Sequence, residues 1–282
     1  MIRKVAQMYA WVRNLLSQDQ TPVFCLEHTG KYDVTLCLFL QEKHLCYYKV
    51  SGLEVKRSMG IKRGKNDKVD ARDLARFAYL FNQELSPYQM PDPLLRNLKQ
   101  LLTHRAKLVR QRAAHKTSVK ENRDVLGPEA FELIQQSSKQ IIIVLSLQIR
   151  QIQKTMAELL KQDPALKHSY DLLTSIQGVG PIIATTMIVE TKNFTAFDNA
   201  RKFACFAGIA PFEHTSGSSV RGKTRISHLG NRRIKTLLSS AASIAIVHNA
   251  ELRAYYLRRL QENKNKRSTL NVVRNKIIQR MF

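Results

Sequence analysis

Short apolar runs separated by polar turns organise the first part of the chain into alternating helix and strand patterns. Residues 1–16 have a helical pattern, and residues 21–26 form an apolar run that ends at Glu27, which is typical of a buried strand with an acid at its exit. A helix over 32–41 and a second strand over 45–50 follow. The order strand, helix, strand predicts a piece of an α/β layer.

The next helical pattern begins at two acidic residues. Leu74, Phe77 and Phe81 keep helical spacing within 68–81. This spacing places Asp67 and Asp70 at the N-terminus of the helix, three residues apart and on one face.

Two long helical patterns follow a proline break at 91–93. The first covers 94–123, where Arg105 and Arg112 interrupt the apolar positions, and the second begins after a turn at 127–128. The second pattern steps by three and four residues, as in a coiled-coil seam, through Ile142, Leu145, Ile149, Ile152, Met156 and Leu159. We expect an antiparallel helical hairpin whose seam is available to a partner protomer.

A further unit begins near residue 163. A glycine turn at 176–181 opens a helix over 182–190, and other helices are predicted over 201–207, 234–248 and 251–280. Residues 211–224, rich in Ser and Gly, are predicted as a loop. The chain is therefore expected to contain an α/β domain over 1–90, a helical hairpin over 91–163 and a mainly helical domain over 164–282.

Charge indicates the class of partner. The 282 residues have a formal net charge of +24 and a pI of about 10.2, which points to a polyanion, with nucleic acid as the first candidate. No apolar stretch is long enough to cross a bilayer and no signal-peptide pattern begins the chain, so a cytoplasmic, nucleoid-associated protein is expected. The four cysteines lack metal-binding spacing.

The acids at 67 and 70 lie in a strongly basic neighbourhood. Residues 56–76 contain eight Lys or Arg and three acids. Carboxylates in such a setting suit a divalent cation placed between protein and phosphate, and Glu27, Asp67 and Asp70 together offer three. The alternative is that Asp67 and Asp70 only stabilise the helix N-terminus. Asp73, one turn further on, is interpreted as a solvated helix acid.

Two weaker motifs lie in the C-terminal part. Gly178 and Gly180 before a helix resemble a hairpin that holds a DNA phosphate on backbone N–H groups. A tight interhelical turn is the more frequent explanation of this pattern alone, and the basic context favours the DNA interpretation. The run from Ser216 to Ser219 offers a serine nucleophile beside basic residues, or else a flexible polar turn.

Taken together, these segments resemble the DEDD-type transposases of the insertion sequence one-ten family, relatives of the Piv DNA invertase. The N-terminal motifs of this resemblance are Glu27-His-Thr-Gly30-Lys-Tyr32 and Lys65-Asn-Asp-Lys-Val-Asp-Ala71. The C-terminal motifs are Ile176-Gln-Gly-Val-Gly-Pro181, Phe206-Ala-Gly-Ile-Ala-Pro211, His214-Thr-Ser-Gly217 and Ile226-Ser-His-Leu-Gly-Asn231.

The resemblance implies a fold and a chemistry. It implies a partial RuvC-like (RNase H-type) domain, a coiled-coil hairpin and a helical serine domain. It also implies that Glu27, Asp67 and Asp70 bind Mg²⁺, and that Ser216, or Ser218 or Ser219 if the motif is displaced, attacks DNA to form a phosphoserine link. Family members use a structured guide RNA and assemble as dimers or tetramers, with one protomer's acids facing another's serine.

One departure from the family pattern concerns the first acid. The family has an aspartate on an opening strand, whereas here no strand with an aspartate precedes Glu27, and Asp19 lies in a polar loop. We therefore expect a member that is truncated at its N-terminus.

Our leading hypothesis is an Mg²⁺-dependent, RNA-guided DNA transposase. Nucleic-acid contacts are expected from Arg105, Arg112, Lys116, Gly178, Gly180, Arg221, Lys223, Arg225, Arg232 and Arg233. A catalytically dead nucleic-acid-binding remnant is the first alternative, and a structural RNA-binding protein is the second.

Overall fold

The computed structural model describes residues 2–30, 32–60, 66–216 and 220–282, and the chain divides into two compact units, Met1–Pro91 and Asp92–Phe282. The first unit contains α1 (Ile2–Asn14), β1 (Phe24–Glu27), α2 (Val34–Glu42), β2 (Tyr47–Val50), α3 (Gly52–Ser58) and α4 (Asp67–Leu80). The second contains α5 (Pro93–Asn122), α6 (Pro128–Lys161), α7 (Pro164–Ser175), α8 (Pro181–Glu190), α9 (Ala200–Phe206), β3 (Pro211–Ser216), β4 (Val220–Ile226), α10 (Arg232–His248), α11 (Ala250–Gln261) and α12 (Lys266–Met281).

The first unit is built on a strand–helix–strand element. β1 and β2 pair in parallel, with Phe24 opposite Tyr47 and Glu27 opposite Val50. α2 connects them, and α1 packs on α2 through an edge-to-face contact between Tyr9 and Phe39. The predicted strand–helix–strand order is confirmed, and the sheet within the described residues has these two strands.

A buried ion pair organises the segment after Glu27. Lys49 Nζ lies 2.9 Å from Asp33 Oδ1, and both side chains are less than one-tenth exposed. Thr29 donates to Asp33 Oδ2 from its backbone N–H and its hydroxyl. These bonds tie the turn that leaves β1 to the neighbouring strand β2.

The helical hairpin of the second unit is packed internally. Ile152 and Met156 of α6 belong to the same buried core as Leu98 and Leu102 of α5, and Ile149 of α6 is also buried. The expectation that the seam is available to a partner protomer is therefore wrong for this part of α6, because the first helix of the same chain covers it. Ile141, Val144 and Leu147, on another side of α6, remain about half exposed.

The core continues into the C-terminal helices. α8 is buried along almost its whole length, because its sequence is mostly apolar and its two threonines, Thr185 and Thr186, donate their hydroxyl groups to carbonyl oxygens of the same helix. Gly178 precedes it with a φ of +94°, and a Cβ at this position would lie 2.4 Å from the Ala241 carbonyl oxygen of α10. Only glycine satisfies both the left-handed backbone and the close helix approach.

Two predictions for the C-terminal region need correction. The segment predicted as a loop over 211–224 forms most of an antiparallel hairpin of β3 and β4. The Ser and Gly residues of the segment favoured a loop prediction, although the strands contain β-branched residues such as Val220 and Ile226. The helix predicted over 251–280 is two helices, because Asn263 adopts a φ of +56° and Asn265 caps α12.

Within the described ranges, no helix combines the length and the apolar character that crossing a membrane requires.

Candidate active site and nucleic-acid interface

An acidic cavity in the first unit brings two of the predicted site residues together. It has a volume of about 450 Å³ and lies between β1, α3 and α4. Glu27 enters its wall from the end of β1, and Asp70 and Asp73 enter from one face of α4. Lys56 of α3 also lines it, so carboxylates and an ammonium group share one cavity.

Asp70 lies in the first turn of α4, where the helix dipole favours an acid, but its side chain does not cap the helix. Asn66 is the N-cap of α4, and its side chain accepts a hydrogen bond from the Val69 N–H at 2.9 Å. Asp67 is the first residue of the helix and is exposed, whereas Asp70 is half-buried. The neutral cap leaves the Asp70 carboxylate available to the cavity.

Gly52 makes room for the Glu27 carboxylate. A Cβ at position 52 would lie 2.1 Å from Glu27 Oε1, far inside van der Waals contact. Gly52 also lines the acidic cavity. The Glu27 carboxylate therefore occupies the space that a side chain at position 52 would fill.

The acids do not form a preassembled metal cage. In the part of the chain that the structure describes, no three His, Cys, Asp or Glu side chains converge closely enough to hold a metal ion. Two or three carboxylates in an open cavity nevertheless suit Mg²⁺, which is commonly bound by one or two carboxylates together with water and substrate phosphates.

The serine motif lies at the end of a basic β-hairpin. Ser216 is the last residue of β3 and pairs with Val220 of β4. The backbone of Arg221 and Lys223 occupies alternate positions of β4. For Ser216, Arg221 and Lys223 the structure describes the backbone, while Lys31, Lys65, Gly217, Ser218 and Ser219 of the sequence motifs lie outside the described residues.

Three of the predicted nucleic-acid contacts converge within the second unit. Arg105 and Arg112 of α5 and Arg233 of α10 are close enough for their charges to interact. Burial, followed by the charges of Arg112 and Arg233, lowers the pKa of Arg105. Arginines from α5 and α10, which are far apart in the sequence, therefore form one cationic cluster.

The other predicted contacts lie at separate positions. Lys116 on α5, Arg225 on β4 and Arg232 at the start of α10 are exposed. Gly180 is the N-cap of α8 and has open space where a Cβ would be, unlike Gly178, which packs on α10.

Sequence reasoning missed two residues of the acidic cavity. Asp73, interpreted as a solvated acid, is half-buried and lines the cavity beside Asp70. Its spacing of three residues from Asp70 was the available signal. Gly52 gave no signal, since its role depends on where the Glu27 side chain lies.

Comparisons with known proteins identify the family. A family model described as "Transposase IS116/IS110/IS902 family" matches residues 170–257, and a model described as "Transposase", of the DEDD transposases of IS110 elements, matches residues 3–128.

Three relatives agree with these matches. The "Pilin gene-inverting protein" of Moraxella bovis is 25% identical over 279 residues, covering 96% of this chain and 82% of the relative. Its counterpart from Moraxella lacunata is 24% identical over the same length. The "Insertion element IS110 uncharacterized 43.6 kDa protein" of Streptomyces coelicolor is 32% identical over 93 residues, 33% of this chain and 23% of the relative. Both family models match in the family's order, and the two Moraxella relatives cover 96% of this chain, which therefore belongs to the IS110 family of transposases.

Proposed function

We propose that this protein is a DNA recombinase that cuts and rejoins strands with Mg²⁺ in the acidic cavity and a serine of the β3–β4 hairpin as nucleophile. The observation that carries the proposal is that Glu27 and Asp70, from a strand and a helix separate in sequence, line one cavity beside Lys56. Carboxylates for a cation, with a lysine for phosphate, are the groups that phosphodiester chemistry requires.

In this proposal Glu27, Asp70 and Asp73 would hold Mg²⁺ in the cavity, and Asp67, exposed at the start of the same helix, would be a further ligand. The first unit then acts as a RuvC-like domain. Mg²⁺ held there would supply positive charge that offsets the charge of the phosphate. Lys56 supplies a further positive charge at the cavity wall.

Ser216 is the proposed nucleophile. Attack of its Oγ on phosphorus forms a serine–phosphate ester, the Oγ proton passes to water, and the leaving strand ends in a hydroxyl group that takes up a proton. Attack by another strand's hydroxyl on this ester rejoins DNA and restores the serine. Arg221 and Lys223 of β4 are expected to offset the phosphate charge.

A guide RNA and a homo-oligomer are the proposed partners. The net charge of +24 is sufficient to neutralise many phosphates of both DNA and a structured RNA. Ile141, Val144 and Leu147 of α6 are about half exposed and offer an apolar face for a second copy of the chain.

The second candidate function is nucleic-acid binding without cleavage. It is favoured by the absence, within the described ranges, of three side chains close enough to hold a metal ion. A remnant of this kind would bind DNA or RNA and leave the strands intact.

Recombination in cells separates the two functions. A plasmid carrying the coding sequence with its flanking DNA is introduced into a bacterial host, and excised or inverted junctions are amplified. The proposal expects junctions from the wild type and none from Glu27→Gln or Asp70→Asn proteins expressed at the same level. Equal junction yields from all three would refute it, and binding without junctions from the wild type would support the remnant.

A further inference from the structure

The arginine cluster, which consists of Arg105, Arg112 and Arg233, is held by the helices around it. Arg112 donates from Nη1 to Ser146 Oγ at 3.2 Å, and Arg233 donates from Nη2 to the Leu102 carbonyl oxygen at 3.1 Å. All three arginines are half-buried. Two guanidinium groups are therefore fixed in position next to the third.

Arg105 is left without an acceptor at an enclosed atom. Its Nε is buried and has no hydrogen-bond partner among the described residues. A buried donor without a partner costs free energy, so such an atom needs an explanation.

The cluster is also uncompensated in charge. None of the ion pairs among the described residues includes Arg105, Arg112 or Arg233. Three neighbouring positive charges without a carboxylate repel one another and destabilise the folded protein. A bound anion would make the electrostatic contribution of these arginines favourable.

We propose that the arginine cluster is a binding site for one phosphate group of a nucleic-acid backbone. Guanidinium groups donate in a planar fork that matches phosphate oxygens, and a rotation of the Arg105 side chain towards the phosphate would give its enclosed Nε an acceptor. The proposal rests on the proposed function only for the identity of the polyanion.

A phosphate site predicts effects of opposite sign on stability and on binding. Arg105→Met keeps an unbranched side chain in α5 but removes one repelling charge and the enclosed donor. The free variant is expected to melt at or above the wild-type temperature, while its affinity for nucleic acid falls. A purely structural arginine would lower the melting temperature when replaced.

The test compares Arg105→Met with Arg110→Met, because Arg110 is exposed on the same helix. Binding of a labelled DNA duplex and of an RNA hairpin is titrated without Mg²⁺ over a range of salt concentrations. Arg105→Met is expected to weaken binding about tenfold and to reduce the slope of log affinity against log salt by about one. Arg110→Met is expected to weaken it less than threefold.

Thermal melting in inorganic phosphate, against chloride at equal ionic strength, separates a built anion site from a general charge effect. Phosphate should raise the melting temperature of the wild type and Arg110→Met more than that of Arg105→Met. Equal rises in all three proteins, or a lower melting temperature of Arg105→Met with unchanged binding, would overturn the proposal. If the methionine variant does not fold, Arg105→Lys keeps the positive charge but lacks the planar guanidinium group, and it should show a smaller phosphate-specific rise in melting temperature than the wild type.

The assay contains no metal and no cleavage step. A failure of the catalytic proposal would therefore leave its result unchanged, and a failure here would leave the acidic cavity and Ser216 untouched.

Discussion

Gly52 and Glu27 are in such close contact that the Cβ of an alanine at position 52 would lie 2.1 Å from Glu27 Oε1. Gly52→Ala should therefore move the carboxylate without unfolding the protein, because the clash falls on the end of a flexible side chain. We expect Mg²⁺-dependent DNA cleavage to fall about 100-fold, the order of loss that follows a displacement of about 1 Å. The dependence of the cleavage rate on Mg²⁺ concentration checks this result.

Gly127→Ala is the matched control, since a Cβ there has no neighbour within 4 Å. Both variants should have melting temperatures close to that of the wild type. If Gly52→Ala cleaves as fast as Gly127→Ala, with the same Mg²⁺ requirement, Gly52 does not position the glutamate.

The acids of the cavity should differ from acids elsewhere in the chain. Glu27→Gln and Asp70→Asn are each expected to reduce cleavage about 10³-fold. Each removes a carboxylate that would hold the cation, and the cation lowers the free energy of the charged transition state by several kcal/mol. Asp73→Asn should raise the Mg²⁺ concentration that half-maximal cleavage requires. Asp171→Asn, at an exposed residue paired with Lys167, should leave cleavage unchanged; a similar loss there would point to a non-specific effect of charge.

The buried pair of Asp33 and Lys49 should be important for folding of the first unit. Asp33→Ala leaves the Lys49 ammonium group buried and unpaired and frees the Thr29 hydrogen bonds. The free energy of unfolding is expected to fall by about 3 to 5 kcal/mol. Chemical denaturation measures it, and the double variant Asp33→Leu, Lys49→Met should recover most of the loss.

Alkaline pH should destabilise the first unit through Tyr47. Burial, with smaller effects of Cys37, Tyr88 and Asp33, raises the pKa of Tyr47 from 10.0 to about 12. The folded state favours the neutral phenol, so the raised pKa of Tyr47 contributes to the free energy of unfolding. This contribution is complete below pH 10 and is lost as the pH rises towards 12. The expected loss is about 2 to 3 kcal/mol.

Tyr47→Phe provides the control, because the buried Tyr47 hydroxyl has no hydrogen-bond partner among the described residues. The phenylalanine variant should be as stable as the wild type at pH 8 or more stable, and it should lose less stability between pH 10 and 12. Identical pH profiles for the two proteins would show that Tyr47 is not the titrating group.

The sequence predicted those features that depend on local periodicity. The strands that end at Glu27 and Val50 and the helix that begins at Asp67 follow from spacing and turn residues. The hairpin that carries Ser216 was missed because its Ser- and Gly-rich turn dominated the pattern. Gly52 beside Glu27, and Arg105 beside Arg233, could not be predicted, since each pairing depends on how distant segments pack.

The most direct test of the account is to capture the serine–DNA intermediate. Purified protein, co-expressed with the RNA from its flanking DNA, is incubated with labelled flanking DNA and Mg²⁺, denatured, and separated from free DNA. The account predicts a labelled covalent adduct with the wild type, Ser218→Ala and Ser219→Ala proteins, and none with Ser216→Ala. An adduct that persists in Ser216→Ala, or DNA binding by the wild type with no adduct, would contradict it.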